Sequence, residues 1–392
     1  MEIKKNVSDY FIHLIKSTIN NEIPSEKPED IQWRDILNLA AYHKVDEMVF
    51  CAVNKLNNKP PEDILKKMYE QHEKNQLVNM LQLGEAESII GEMAKNGLDI
   101  LPLKGYVLKT LYPDPDYRQM GDLDYLIEPD KMDKAGDILK ELGYIPADVG
   151  SEDSHDVYAK LPYIEVEMHR RLLPPTEENH WHTDNIWERL KRNEKNPHLM
   201  EMTWEDFYLF HLLHFEKHYS MDGCGIRSII DQYYIMKKVG DRLNREYIDE
   251  KLKKMNYVEF EQMAMGLAMA WFDNGKMKEK WEGPGEFIIN SGAFGTFEQY
   301  QKFAMERYKR EQGINTKTGF FFRRMFMERE RMEFSYPILK KHGWLLPFLW
   351  VHRLVKAVFC TRGRVKRELK SFKKKKWVGI CRKFVYTKKV TN

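Results

Sequence analysis

The hydrophobic period of this chain changes at Leu98, and the change separates what can fold as helix from what can fold as sheet. Up to residue 95 apolar positions recur at helical spacing. They are Trp33, Ile36, Leu37, Leu39, Ala40 and Val45 within 31–57, then Ile64, Met68, Leu77, Met80, Leu81, Ile89, Ile90 and Met93 within 62–95. A Lys-Pro-Pro break at 59–61 divides the two stretches, and Asn96-Gly97 supplies a stop after the last apolar turn. Beyond it the texture shortens. Residues 100–103 are an apolar run, 106–112 are helical, 123–127 are strand-like, and 131–142 are an amphipathic helix closed by Gly143. Residues 144–146, 156–161 and 163–171 read as three further strands. Helical texture returns after Pro174-Pro175, clearest in 204–219 and 226–239, and continues through 304–338. The expected class is therefore α+β. A small α/β unit at 96–175 lies between helical regions at 1–95 and 176–340, and 341–392 holds an apolar segment and a basic tail.

The α/β stretch carries the chemistry. Residues 118–127 read Arg-Gln-Met-Gly-Asp-Leu-Asp-Tyr-Leu-Ile. Strand residues two apart share a face, so Asp122 and Asp124 project side by side with Leu123 and Tyr125 opposite. Adjacent carboxylates repel and call for a cation; with a phosphate partner, an oxygen-liganded Mg²⁺ is the usual solution. The plainer reading of the pair is a solvated strand entrance. Lys104-Gly105 stands where an apolar strand turns into a helix. Glycine there lets a phosphate approach backbone N–H groups, and Lys104 adds a point charge. Arg118 offers a guanidinium fork for a phosphate. The opposing reading makes Gly105 a tight turn and the two cations surface charges. In 163–169 strict alternation places Glu165, Glu167 and His169 on one face and Ile164, Val166 and Met168 on the other. That polar face is either the wet side of a sheet or, beside the Asp122 strand, the source of a third carboxylate, Glu167, for a two-metal cluster.

Leu-Lys-Gly at 103–105, a helix, Arg-x-x-x-Asp-x-Asp at 118–124, a helix ending in Leu-Gly-Tyr at 142–144, and Val-Glu-x-His at 166–169 form an ordered set. The set resembles the uncharacterised nucleotidyltransferase family, within the DNA polymerase β-like nucleotidyltransferase superfamily. The motifs cover 97–175, and a looser likeness extends to 40–45 and 210–214. The resemblance implies a polymerase-β-like α/β core that moves a nucleoside monophosphate from an NTP such as ATP to a hydroxyl acceptor. It implies two Mg²⁺ ions on Asp122, Asp124 and Glu167, with Glu167 nearest the acceptor and His169 orienting Glu167 or a phosphate oxygen. The chain departs from the superfamily pattern at one place: Tyr106, not serine, follows Gly105, and 16 residues separate Gly105 from Asp122. Phosphate grip then falls to backbone N–H groups, Lys104 and Arg118. The alternative is a catalytically inactive, nucleotide-binding module that regulates or tethers a partner.

Other features bound the partners. His211, His214 and His218 fit one helical face and pack beside aromatics, line a cleft or, ranked last, bind Zn²⁺; Arg227 and Asp231, four apart, read as a helix pair. The formal net charge of +3 conceals a segregation: residues 361–392 hold 13 Lys and Arg against Glu368, +12, which leaves −9 for 1–360. The plain reading of that tail is a solvated segment or one folded on the acidic body; after the apolar segment 344–351 it also fits an anionic membrane surface, with nucleic acid ranked behind. A polynucleotide-end enzyme using the tail for RNA is a third, weaker expectation. Cys51, Cys224, Cys360 and Cys381 lie far apart, with no CxxC, as in reduced cytoplasmic proteins. The expected setting is cytoplasmic, peripheral to the inner membrane face, since no stretch has the signal-peptide pattern or spanning length.

Overall fold

A computed structural model describes residues 3–148, 155–162, 164–173, 185–221, 223–295 and 336–352, with positions 326, 329 and 332. The chain forms two compact units, Met1–Gly295 and Thr296–Asn392. The first is an α+β body. Its opening helices are α1 (Lys5–Ile19), α2 (Trp33–His43), α3 (Asp46–Val53) and α4 (Glu62–Lys95). The helical stretch 31–57 divides because Lys44 adopts a left-handed backbone, φ 57°, at the end of α2. That turn buries His43 and Val45 and starts α3 in a new direction. Most of the expected helix 304–338 lies outside the described residues.

The sheet has the order β1–β2–β5–β4–β3, from β1 (Leu101–Pro102), β2 (Leu123–Leu126), β3 (Ile145–Asp148), β4 (His155–Lys160) and β5 (Ile164–His169). Only β2 and β5 run parallel, with Leu123 beside Val166 and Asp124 beside Glu167; the remaining pairs are antiparallel. Between β1 and β2 lies the short helix α5 (Lys104–Lys109), and α6 (Met132–Glu141) follows β2. One sheet face is apolar. Tyr125, Ile127, Val166 and Met168 bury against Ala86, Ile89 and Met93 of α4 and Ala135, Ile138 and Leu139 of α6. The other face carries Asp124, Glu167, His169 and His155. A ribbon of β6 (Lys191–Arg192) and β7 (Met200–Glu201), which periodicity does not show, adjoins the β1 side through an Ile100–Leu199 bridge.

The closing helices of this unit are α7 (Trp204–Met221), α8 (Ile226–Val239), α9 (Arg245–Met255), α10 (Val258–Phe272) and α11 (Glu279–Ser291). They share one core with α1–α3: Phe11, Leu14, Ile36, Phe210, Ile230, Leu267 and Ile288 all belong to it. His43 ties this core across long sequence separations. Its Nδ1 accepts from Ile226 N at 3.1 Å, so the neutral ring must carry its proton on Nε2, which donates to Ile289 O at 3.0 Å. Burial lowers its pKa to about 4, in keeping with a neutral ring. A Cβ on Gly225 would lie 2.8 Å from that Nδ1, so glycine is required where α8 begins. His43→Ala strands a buried N–H and a buried carbonyl and opens a cavity. We expect a loss of about 3 kcal/mol in stability, read by chemical denaturation.

Candidate active site

The polar sheet face places three carboxylates together. Asp124 and Glu167 are direct neighbours on parallel strands, and Asp122 stands two residues before Asp124 on the same side. One carboxylate oxygen from each of the three lies within 4.8 Å of the others. The donor set is oxygen-only and partly buried, which suits a hard divalent cation such as Mg²⁺.

Two nitrogens already face Asp124 Oδ1: Lys104 Nζ at 2.6 Å and His169 Nε2 at 2.9 Å. Burial opposes ionisation of Asp124, but Lys104 and then His169 outweigh it and hold its pKa below the usual range. Burial likewise opposes the charge on Lys104, and Asp124 overcomes that, raising the lysine pKa. Lys104 adopts a left-handed backbone, φ 41°, unusual for a residue with a Cβ. Such local cost is commonly kept where it aims a functional side chain. Gly105 is buried, and the space a Cβ would take is filled by Met120 Cγ at 2.8 Å. Its absent side chain serves close packing against the loop before β2.

Glu167 lies between two imidazoles, with His155 Nε2 3.3 Å from Oε1 and His169 Nε2 3.3 Å from Oε2. Burial disfavours its charge, but His155 and His169 dominate and push its pKa well down. Burial lowers the His169 pKa, and Asp124 and Glu167 more than reverse this. His155 escapes the strand expected at 156–161 by one residue. Its signal is the antiparallel register that sets it opposite His169.

Arg118 is anchored within the helical body. It is buried, with Nε donating to Asp231 Oδ1 at 2.7 Å and Nη1 to Gln119 O at 2.8 Å. Arg227 Nη1 also donates to Gln119 O, at 3.0 Å. The expected Arg227–Asp231 pair is therefore replaced: Asp231 accepts from Arg118 and from Tyr112 Oη at 2.7 Å. On α7, His214 and His218 bring their Nε2 atoms to 3.1 Å. Burial lowers both histidine pKa values, and nearby lysines, Lys104 for His214 and Lys217 then Lys104 for His218, add to the drop.

Asp122 has no ion pair among the described residues. Burial first, then the charge of Asp124, raises its pKa to about 6. A carboxyl with a raised folded-state pKa stabilises the fold below its unfolded pKa, near 3.8, and loses that contribution as pH rises through about 6. In metal-free solution, Asp122→Asn should melt above wild type at pH 7.5. The gain should shrink as pH falls from about 6 toward 4, where wild-type Asp122 is protonated as well. Thermal melts across that range check the sign.

A family model described as an uncharacterised nucleotidyltransferase matches residues 29–273. No curated protein and no solved structure matches the chain significantly.

Proposed function

The chain belongs to the uncharacterised nucleotidyltransferase family, and on that premise we propose that it moves a nucleoside monophosphate from an NTP to a hydroxyl acceptor, releasing pyrophosphate. The supporting observation is the convergence of Asp122, Asp124 and Glu167 from parallel neighbouring strands. These three would hold Mg²⁺, two ions in the full reaction. Bound Mg²⁺ supplies positive charge against the triphosphate and the leaving pyrophosphate and acidifies an oxygen it touches. The remaining work belongs to side chains. Lys104 is 20% exposed beside Asp124 at 3%, so its ammonium keeps one open side for a phosphate oxygen. Glu167, at 17%, is the more open carboxylate and faces an arriving acceptor. His169 donates to Asp124 and lies against Glu167, fixing both carboxylates in the low-dielectric site.

Incubating the full chain with each NTP, Mg²⁺ and an acceptor panel should release pyrophosphate. Asp124→Asn or Glu167→Gln should lower release by roughly 10³-fold or more, the scale of losing a principal charge-stabilising group. Undiminished release in either variant sinks the reading, and nucleotide binding without turnover by wild type points to the inactive module.

For the second unit we propose contact with an anionic membrane surface. Among the described residues no helix is long and apolar enough to cross a membrane. Trp344, Phe348 and Val351, at helical spacing, are 69%, 67% and 61% exposed, and the +12 stretch at 361–392 follows them in sequence. Co-sedimentation with phosphatidylserine vesicles should weaken with salt and with Trp344→Asp. Equal binding to zwitterionic vesicles, or none, overturns it.

A further inference from the structure

We propose that His155, Glu167 and His169 form a second cation position, one that takes a borderline divalent ion such as Zn²⁺ in preference to Mg²⁺. The position does not require nucleotidyl transfer, and it differs in chemistry from the all-oxygen group beside it. Two imidazole nitrogens and one carboxylate favour a zinc-like ion, whereas Mg²⁺ prefers oxygen.

Backbone pairing builds the position. His155 and His169 are direct partners across the antiparallel β4–β5 pair, and Glu167 lies one pleat away on the same face of β5. All three donors therefore stand on adjacent strands rather than on a loop, and one ligand atom from each falls within 4.8 Å of the others.

The spacing leaves room for an ion among the three groups. Each imidazole Nε2 is 3.3 Å from its own oxygen of Glu167. Charge-assisted N–H···O bonds close to about 2.7–2.9 Å, as Lys104 and His169 do on Asp124 at 2.6 and 2.9 Å. A tetrahedral ion with bonds of about 2.1 Å keeps its ligand atoms roughly 3.4 Å apart. The rings, 4.8 Å between centroids and inclined by 43°, direct both nitrogens at one carboxylate. Side-chain exposures of 29%, 17% and 11% leave an approach for the ion and a free position for water.

Loading the position has a defined proton balance. His169 Nε2 now donates to Asp124; as a ligand it must be deprotonated and its Nε2 proton passes to solvent, while His155 binds as the neutral ring with its proton on Nδ1. Asp124 loses one donor and keeps Lys104 on the same oxygen.

Co²⁺ serves as a spectroscopic stand-in for Zn²⁺, added to the full chain first without Mg²⁺ and then with it, because Glu167 belongs to both groups. The expected result is one Co²⁺ per chain with a visible ligand-field band, displaced by Zn²⁺ and retained in Asp122→Asn. His155→Asn should weaken Co²⁺ binding by at least about 100-fold, beyond the 10- to 100-fold typical of losing an outer contact. His155→Cys should restore binding with a new thiolate-to-cobalt charge-transfer band, which a merely misfolded variant cannot give. Unchanged affinity in His155→Asn, loss of the band in Asp122→Asn, or no band in wild type overturns the proposal. None of these readings depends on pyrophosphate release.

Discussion

The parallel pairing of β2 with β5 is the constraint on which the rest depends. It sets Asp124 beside Glu167, and a slip of one residue would turn Glu167 into the apolar layer and Val166 into the site. The alternate residues prevent that slip. Leu123, Tyr125, Val166 and Met168 are buried against α4 and α6, so turning β5 over would drive Val166 and Met168 out of that layer and bury Glu167 in their place. Carboxylate geometry is therefore enforced from the opposite side of the sheet, by packing that has no part in the chemistry. The long helix α4 matters to the site for that reason.

Electrostatics then distributes charge unevenly over the three acids. Asp124 has Lys104 and His169; Glu167 has His155 and His169. Asp122 is left to burial and to the repulsion of Asp124, and its pKa rises accordingly. These partners offset part of the desolvation cost that three unpaired carboxylates at this burial would carry. Leaving the third unpaired preserves a demand for positive charge from outside. The left-handed Lys104 belongs to this balance: its ammonium pairs with Asp124 at 2.6 Å.

What could be read from sequence follows from period. Asp122, Asp124, Glu167 and His169 were assignable to faces because strand alternation is local, and the structure brings all four together. What could not be read depends on contacts between distant segments. The partner of Arg118 is Asp231, 113 positions away, and no local pattern separates that pairing from a fork aimed at phosphate. His155 was missed because strand ends are poorly marked; only its register with His169 brings it to Glu167. The division of 31–57 into α2 and α3 rests on a left-handed lysine, which propensity disfavours. The β6–β7 ribbon is too short to produce a period at all.

The helical regions are tied into the site through the loop before β2. The carbonyl of Gln119 accepts from both Arg118 and Arg227, and Gln119 Nε2 donates to Asp46 of α3 at 3.3 Å. Gln82 of α4 donates to the Met120 carbonyl at 3.4 Å. Helices α3, α4 and α8 thus fix the two residues that lead into Gly121 and Asp122. A guanidinium pair sharing one carbonyl is tolerable only because Asp231, held by Tyr112, offsets its charge in the buried core. The family match from 29 to 273 agrees with this dependence, since it takes in these helices as well as the short stretch that carries the acids. An isolated 96–175 would retain the carboxylates but lose Asp46, Gln82, Arg227 and Asp231, and with them the support that aims Asp122 at the site.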